Sequence, residues 1–146
     1  SLFDDMVGYM WKLEYGAEKG FHYHLLFFFD GSKVREDVSR ARMLGDYWEK
    51  VITQHRGIYY NCNAHKNHYK YLGIGMINHH ETELKNILKR QVAGYLTKID
   101  YYAKVVIQSE GKTARTFGKG VVAHKSNRGR PRLYRASMPL NLNESV

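Results

Sequence analysis

The sequence predicts an α+β domain in which helices pack on an antiparallel sheet. Three observations carry that expectation. Two apolar, aromatic-rich segments flank a short turn with a glycine at each end. Two long stretches repeat apolar residues at three- and four-residue spacing. Shorter apolar segments lie between and after those stretches.

Val7 to Tyr15 reads as the first strand, and Gly16-Ala17-Glu18-Lys19-Gly20 as a turn. Phe21 to Phe29 is the second strand, apolar or aromatic at seven of nine positions and broken only by His22 and His24. Asp30-Gly31-Ser32 closes it, and the pair reads as an antiparallel hairpin. A helix follows from Arg35 to Gln54, with Val38, Ala41, Leu44, Trp48, Val51 and Ile52 on its stripe and Gly57 placed to end it. Ile58 to Asn61 and Tyr71 to Ile77 are expected to be short strands. A second helix is expected from His79 to Val105, its stripe running through Leu84, Ile87 or Leu88, Val92, Tyr95 or Leu96, Ile99 and Tyr102. Val105 to Gln108 and Ala114 to Gly118 then form a final hairpin. On this reading residues 7–120 are one domain and residues 121–146 a basic C-terminal extension.

A chain of 146 residues suits one domain with its own core. With 23 Lys and Arg against 14 Asp and Glu, the net charge is 23 − 14 = +9, which favours a polyanionic partner. No apolar run is long enough to span a bilayer, so no membrane partner is expected. Ser1-Leu2-Phe3-Asp4-Asp5 lacks the features of a signal peptide, and its opening Ser suggests a piece of something longer. The single cysteine, Cys62, has no partner for an internal disulfide, in keeping with a reducing cytoplasm. The 12 tyrosines suit base stacking and ordinary strands alike.

His22 and His24 carry the first chemical signal. Strand residues two apart face the same side, so the two imidazoles project together and can share one divalent metal. Glu14 lies across the turn, where antiparallel pairing brings its carboxylate beside them. Two imidazoles, one carboxylate and open positions suit Mg²⁺ or Mn²⁺ acting on phosphate. A packed, metal-free histidine pair is the competing reading, but two imidazoles breaking one apolar strand on one face invite a common explanation.

Tyr95 and Lys98 form Tyr-x-x-Lys inside the expected second helix, where they lie on one face about 60° apart. A phenol is a weak nucleophile at neutral pH, and a polarised phosphate with a nearby ammonium eases its attack. Gly94 costs such a helix roughly 1 kcal/mol relative to Ala, and a close DNA backbone or a tight helix–sheet contact would explain it. Tyr101 and Tyr102 are alternative nucleophiles; Tyr102 shares the face of Tyr95 in an unbroken helix, and Tyr95 itself falls near the apolar stripe and suits core packing too.

From Lys112 to Arg135 the chain carries eight Lys or Arg and no Asp or Glu. Lys112, Arg115, Lys119, Lys125, Arg128, Arg130, Arg132 and Arg135 are candidate phosphate contacts, with a solubilising tail as the plainer reading. Arg128-Gly129-Arg130-Pro131-Arg132 also looks like an AT-hook core for the minor groove. Cys62, His65 and His68 sit three apart, but no second ligand pair follows, so zinc is not expected. His79 and His80 read as solvated.

The order Glu14, His22-x-His24, Tyr95-x-x-Lys98 resembles HUH endonucleases, the group of rolling-circle replication initiators, relaxases and some transposases. Four segments sharpen this: Trp11-Lys12-Leu13-Glu14-Tyr15-Gly16, Gly20-Phe21-His22-Tyr23-His24, Gly94-Tyr95-Leu96-Thr97-Lys98 and Arg128-Gly129-Arg130-Pro131-Arg132. Together they look like the inovirus Gp2 and YagK/YfjJ C-terminal family of phage and prophage replication-initiator-like proteins. The resemblance covers most of the chain, from Val7 to Arg132. It implies an HUH- or RRM-like sheet, His22 and His24 as metal ligands with Glu14 as the third, Tyr95 as nucleophile and Lys98 as its polar partner. It implies single-stranded or origin DNA as substrate, helicase and polymerase of a bacterial host as partners, and a cytoplasmic site of action. HUH domains carry a further apolar strand upstream of the glutamate strand, and this sequence begins too late to hold it, so the resemblance implies a sheet without that first strand. A relaxase or transposase, a non-catalytic nucleic-acid-binding regulator, and a hydrolase that uses water with Tyr95 structural are the alternatives.

Overall fold

The computed structural model describes residues 1–122. The expected hairpin is present: strand β1 spans Met6–Gly16, strand β2 spans Gly20–Phe29, and they pair antiparallel down to Gly16↔Gly20. Gly20 has φ of 67°, the left-handed conformation a short hairpin loop asks for and glycine adopts without a Cβ clash. Strand β3, Phe117–Val121, adds antiparallel to the other edge of β1, giving the order β2-β1-β3. The α+β class holds, with helices packed on an antiparallel sheet.

The expected hairpin of residues 105–108 and 114–118 does not form. Residues 105–108 lie in helix α4, Tyr101–Ser109, and the last strand pairs with β1 instead. The run Val105-Val106-Ile107 has strand propensity, but Ala103 and Ile107, four apart, are both buried. Burial of that helical stripe outweighs a propensity worth a few tenths of a kcal/mol per residue.

Helix α1, Asp37–Tyr47, continues into a π-helical turn, Trp48–Ile52. It stops before Gly57, because Gln54 and His55 take φ of 49° and 63°. The short strands expected at 58–61 and 71–77 are irregular coil flanking a 3₁₀ segment, Cys62–His68. The coil is tied by side chains to α1: Asn61 Nδ2 donates to the Val38 carbonyl at 3.1 Å, and Asn63 Nδ2 to Asp37 at 2.7 Å.

The second long helix is also broken. Helix α2, Thr82–Ile87, widens into a π-helical turn, Leu88–Ala93, and ends as a short helix α3, Gly94–Thr97. Lys98 is already extended, with ψ of 131°. Asp100 restarts the chain as the cap of α4, its Oδ1 accepting from the Tyr102 and Ala103 amides at 2.9 and 3.1 Å.

Alternate residues of β1 and β2 face opposite sides of the sheet. Trp11, Leu13, Tyr15, Phe21, Tyr23 and Phe27 share one face. There Tyr23 meets Trp48 at 5.7 Å between ring centroids, and Tyr15 stacks on Tyr102 at 5.9 Å. Lys12, Glu14, His22 and His24 share the other face and meet Tyr95 of α3. The chain therefore passes from one face to the other between α3 and α4. Asp100 fixes the crossing, because its Oδ2 accepts from the Tyr15 amide at 3.2 Å, on the β1 edge where the Leu13 amide still bonds Thr116. Among the described residues no helix is long and apolar enough to cross a membrane.

Candidate metal and tyrosine site

The hairpin register builds the site. Glu14 pairs with His22 and Lys12 with His24 across the strands, so all four side chains stand on one face. His24 Nε2 lies 2.8 Å and His22 Nε2 3.4 Å from Glu14 Oε2. The imidazole rings sit 5.2 Å apart at 72°. His22 Nδ1 lies 3.1 Å from the Gly20 carbonyl, a contact that places its proton on Nδ1 and turns the Nε2 lone pair to Glu14.

One ligand atom from each of Glu14, His22 and His24 lies within 4.8 Å of the other two, and this is the only such His, Cys, Asp and Glu group among the described residues. Two imidazole nitrogens and a carboxylate oxygen converging on one point, with one imidazole oriented by a backbone carbonyl, fit a divalent cation.

Tyr95 reaches this cluster from α3. Its hydroxyl donates to Glu14, 2.8 Å from Oε1 and 2.9 Å from Oε2. Its ring stands edge-on to His24 at 5.4 Å. Burial and the Glu14 carboxylate push the phenol up to about 12. Burial works against the charge on Glu14, yet the contacts from Lys12, Tyr95 and His24 hold its carboxyl down at about 2. Glu14 is thus an anion gripped from several sides, and Tyr95 a protonated phenol aimed at it.

The basic side chain in contact with the Tyr95 ring is Lys12. Lys98 is the residue after α3, where the chain leaves the helix at ψ of 131°. Its side chain is exposed and holds no ion pair or hydrogen bond among the described residues. Lys12 joins the cluster from β1. Its Nζ lies 2.6 Å from Glu14 Oε1 and 4.6 Å from the centre of the Tyr95 ring, with 5 % of the residue exposed. The sequence signal was available, since Lys12 stands two before Glu14 on the strand and so shares its face.

The break after α3 also separates the alternative tyrosines. Tyr102 lies on the opposite face of the sheet against Tyr15, and Tyr101 is 72 % exposed. The Gly94 amide bonds the Lys89 carbonyl, and a Cβ there would meet only that oxygen, at 3.4 Å. Gly94 therefore belongs to the wide π-helical turn and not to a tight helix–sheet contact.

Of the expected phosphate contacts, Lys112 pairs with Glu110 at 2.9 Å, Arg115 is exposed, and Lys119 is exposed on β3. Lys119 pairs with Met10, which puts it on the face of Lys12 and Glu14. Lys125, Arg128, Arg130, Arg132 and Arg135 lie outside the described residues. Cys62 is exposed, and His65 and His68 do not join it in a ligand cluster. His79 and His80 are exposed, as expected.

The model of the YagK/YfjJ C-terminal domain matches residues 1–120. The chain belongs to that family. The match takes in Lys12, Glu14, His22, His24 and Tyr95, and ends one residue before the end of β3. No curated protein and no solved structure matches the chain.

Proposed function

We propose that this domain nicks and rejoins single-stranded DNA through a covalent 5′-phosphotyrosine at Tyr95, as HUH endonucleases do when they start rolling-circle replication of a phage, prophage or plasmid. The observation that carries the reading is the Tyr95 hydroxyl, held 2.8 Å from a carboxylate that two same-face histidines also contact. Such a constellation joins a nucleophile to a ligand set, which core packing alone does not require.

A divalent cation held by Glu14, His22 and His24, Mg²⁺ or Mn²⁺, would polarise the phosphate and stabilise the charge that develops on it. Glu14 orients the Tyr95 hydroxyl, and the open side of the ring, 41 % of the residue exposed, leaves room for a strand. Attack forms a bond from the Tyr95 oxygen to phosphorus and breaks the bond from phosphorus to the 3′ oxygen. The proton lost by the phenol is balanced by the one the 3′ hydroxyl gains. Lys12, a buried cation beside both Glu14 and the Tyr95 ring, offsets the carboxylate charge as the phenol gives up its proton. Lys112, Arg115 and Lys119, with the basic residues beyond Gly120, supply phosphate contacts.

The test is incubation of the full chain with a labelled single-stranded origin library and Mn²⁺, followed by denaturing gels. A protein–DNA adduct that survives in Tyr102→Phe and vanishes in Tyr95→Phe is the expected result. Cleavage into two free ends without adduct would mean that water, not Tyr95, is the nucleophile.

A further inference from the structure

No Asp or Glu occurs between Glu49 and Glu81, while that interval holds Lys50, Arg56, Lys66, Lys70 and five histidines. Its four tyrosines, Tyr59, Tyr60, Tyr69 and Tyr71, fall in the stretch the structure leaves as irregular coil and a 3₁₀ turn. We infer that the segment from Arg56 to Tyr71 is a stacking surface for the bases of an unpaired nucleic-acid strand. The inference goes beyond the chemistry at Tyr95 and does not depend on it.

The rings are presented outward. Tyr60 is 59 % and Tyr71 52 % exposed. Tyr60 lies parallel to His65, 4.7 Å between centroids at 19°, and His65 meets His68 at 5.3 Å. The Tyr60 hydroxyl bonds His68 Nδ1 at 3.2 Å, so three rings form one braced group. Lys70 stands over the Tyr71 ring at 5.4 Å.

The underside of the segment is tied down. The Tyr59 hydroxyl donates to Asp46 at 3.2 Å, Asn61 to the Val38 carbonyl, and Lys66 pairs with Asp37 at 2.6 Å. A platform ordered from beneath presents its rings with little ordering cost on binding. Lys50 and Lys66 are paired to Asp46 and Asp37, whereas Arg56 and Lys70 hold no ion pair among the described residues.

Exposed aromatic faces interleaved with unpaired cations, and no carboxylate in the interval, are what a single strand requires: stacking for its bases and charge for its phosphates. The buried centre of a protein interface is depleted of charged residues, whereas this segment interleaves its rings with cations. From Arg56 to Tyr71 only Ile58 is an exposed large aliphatic residue. A duplex hides its base faces and so gains nothing from the rings. The platform also adjoins the nucleophile's helix: two residues past Tyr71, a Cβ on Gly73 would come within 2.8 Å of the Leu88 amide. A strand lying on the platform thus starts beside the helical run that leads to Tyr95.

The test measures fluorescence anisotropy of the full chain in chelator with labelled oligothymidine of about 12 nucleotides, oligouridine of the same length, and a matched duplex. A Tyr60→Ala/Tyr71→Ala variant should bind single strands at least about tenfold more weakly and the duplex unchanged. Its salt dependence should match the parent, because no charge is lost. Tyr60→Phe/Tyr71→Phe should bind as the parent does. The thymidine and uridine arms show whether DNA or RNA is the better occupant. Parent-like binding by the alanine variant, or equal loss on strand and duplex, would overturn the inference. As a second measurement on the unaltered chain, an oligonucleotide carrying 5-iodouracil should photocross-link within residues 56–71; cross-links only elsewhere would also overturn it. Chelator removes the metal from every arm, so binding is read apart from cleavage; absence of adduct in the separate Mn²⁺ assay would sink the proposed chemistry and leave this result standing.

Discussion

Glu14 and Asp37 are two partly buried carboxylates that each hold a lysine ammonium at 2.6 Å. In both, burial works against the charge and the lysine and further hydrogen bonds prevail, holding the carboxyl below its ordinary range. They differ in the partners each carboxylate has besides its lysine. Asp37 is completed by the Asn63 amide at 2.7 Å, a donor with no chemistry to offer. Its role is to tie the 3₁₀ segment to the first turn of α1. Glu14 is completed by two imidazoles and a phenol, each able to ligate, titrate or attack. A lysine–carboxylate pair is therefore no sign of a site by itself; the remaining partners decide.

The sharpest way to break the comparison is to neutralise each carboxylate in turn. Glu14→Gln is expected to abolish Mn²⁺ binding measured by calorimetry, along with adduct formation, because the only anionic ligand is lost. Asp37→Asn should leave both intact and lower Tm by several degrees, the effect of about 1–2 kcal/mol. Equal metal binding by the two variants would erase the distinction.

The lysines give the next largest effect. Lys12, almost fully buried, should cost about 3 kcal/mol when changed to Met, since a buried charge loses its partner. Lys66, whose side chain is 33 % exposed, should cost no more than about 1 kcal/mol. Urea midpoints of the two variants test the ranking. In the proposed chemistry Lys12→Met also slows adduct formation, by about a hundredfold.

Acid should reveal both carboxylates in the metal-free chain. Each has a folded value below its unfolded one: Glu14 about 2 against 4.5, and Asp37 lowered from 3.8. Groups of this sign contribute stability that is fully present above the unfolded value and is lost as pH falls through the folded one. Melting temperature should therefore fall as pH drops from about 4.5 toward 2, and less steeply in Glu14→Gln. A profile that Glu14→Gln leaves unchanged would show that Glu14 is not an anion held by its neighbours.

The smallest effect is expected at Lys98. Its side chain makes no contact with the cluster, so Lys98→Ala should change the rate of adduct formation by less than about threefold, within ordinary surface effects. A loss as large as that of Lys12→Met would return the role to Lys98 and require the residues after α3 to rearrange on binding DNA.

The cluster of Glu14, His22 and His24 was legible in the sequence because everything that makes it is local. Side chains alternate with period two, the turn is bounded by Gly16 and Gly20, and the pairing of Glu14 with His22 follows from counting back across it. The outline of α1 was legible for the same reason, from a stripe with helical period. The coil at 58–61 and 71–77 was not legible. Its aromatic residues read as strands, but the segment is held by side-chain hydrogen bonds from Asn61 and Asn63 to α1, long-range ties that propensity does not show.

The break between α3 and α4 was misread because the apolar stripe runs through it without a gap. Asp100 marked it, as an N-cap residue inside a helical pattern, but an Asp there reads equally as a solvated helix residue. Its second bond, to the Tyr15 amide 85 residues away, shows why the chain turns at that point. Lys12 is the clearest case of the divide. The sequence alone places it on the face of Glu14, His22 and His24, because alternation along a strand is a property of the backbone. That it is buried, and lies against the Tyr95 ring, was decided only by tertiary structure. The reason is that β3 covers the outer edge of β1 and α3 closes over its face, and neither contact is encoded within the reach of a strand or a helical turn.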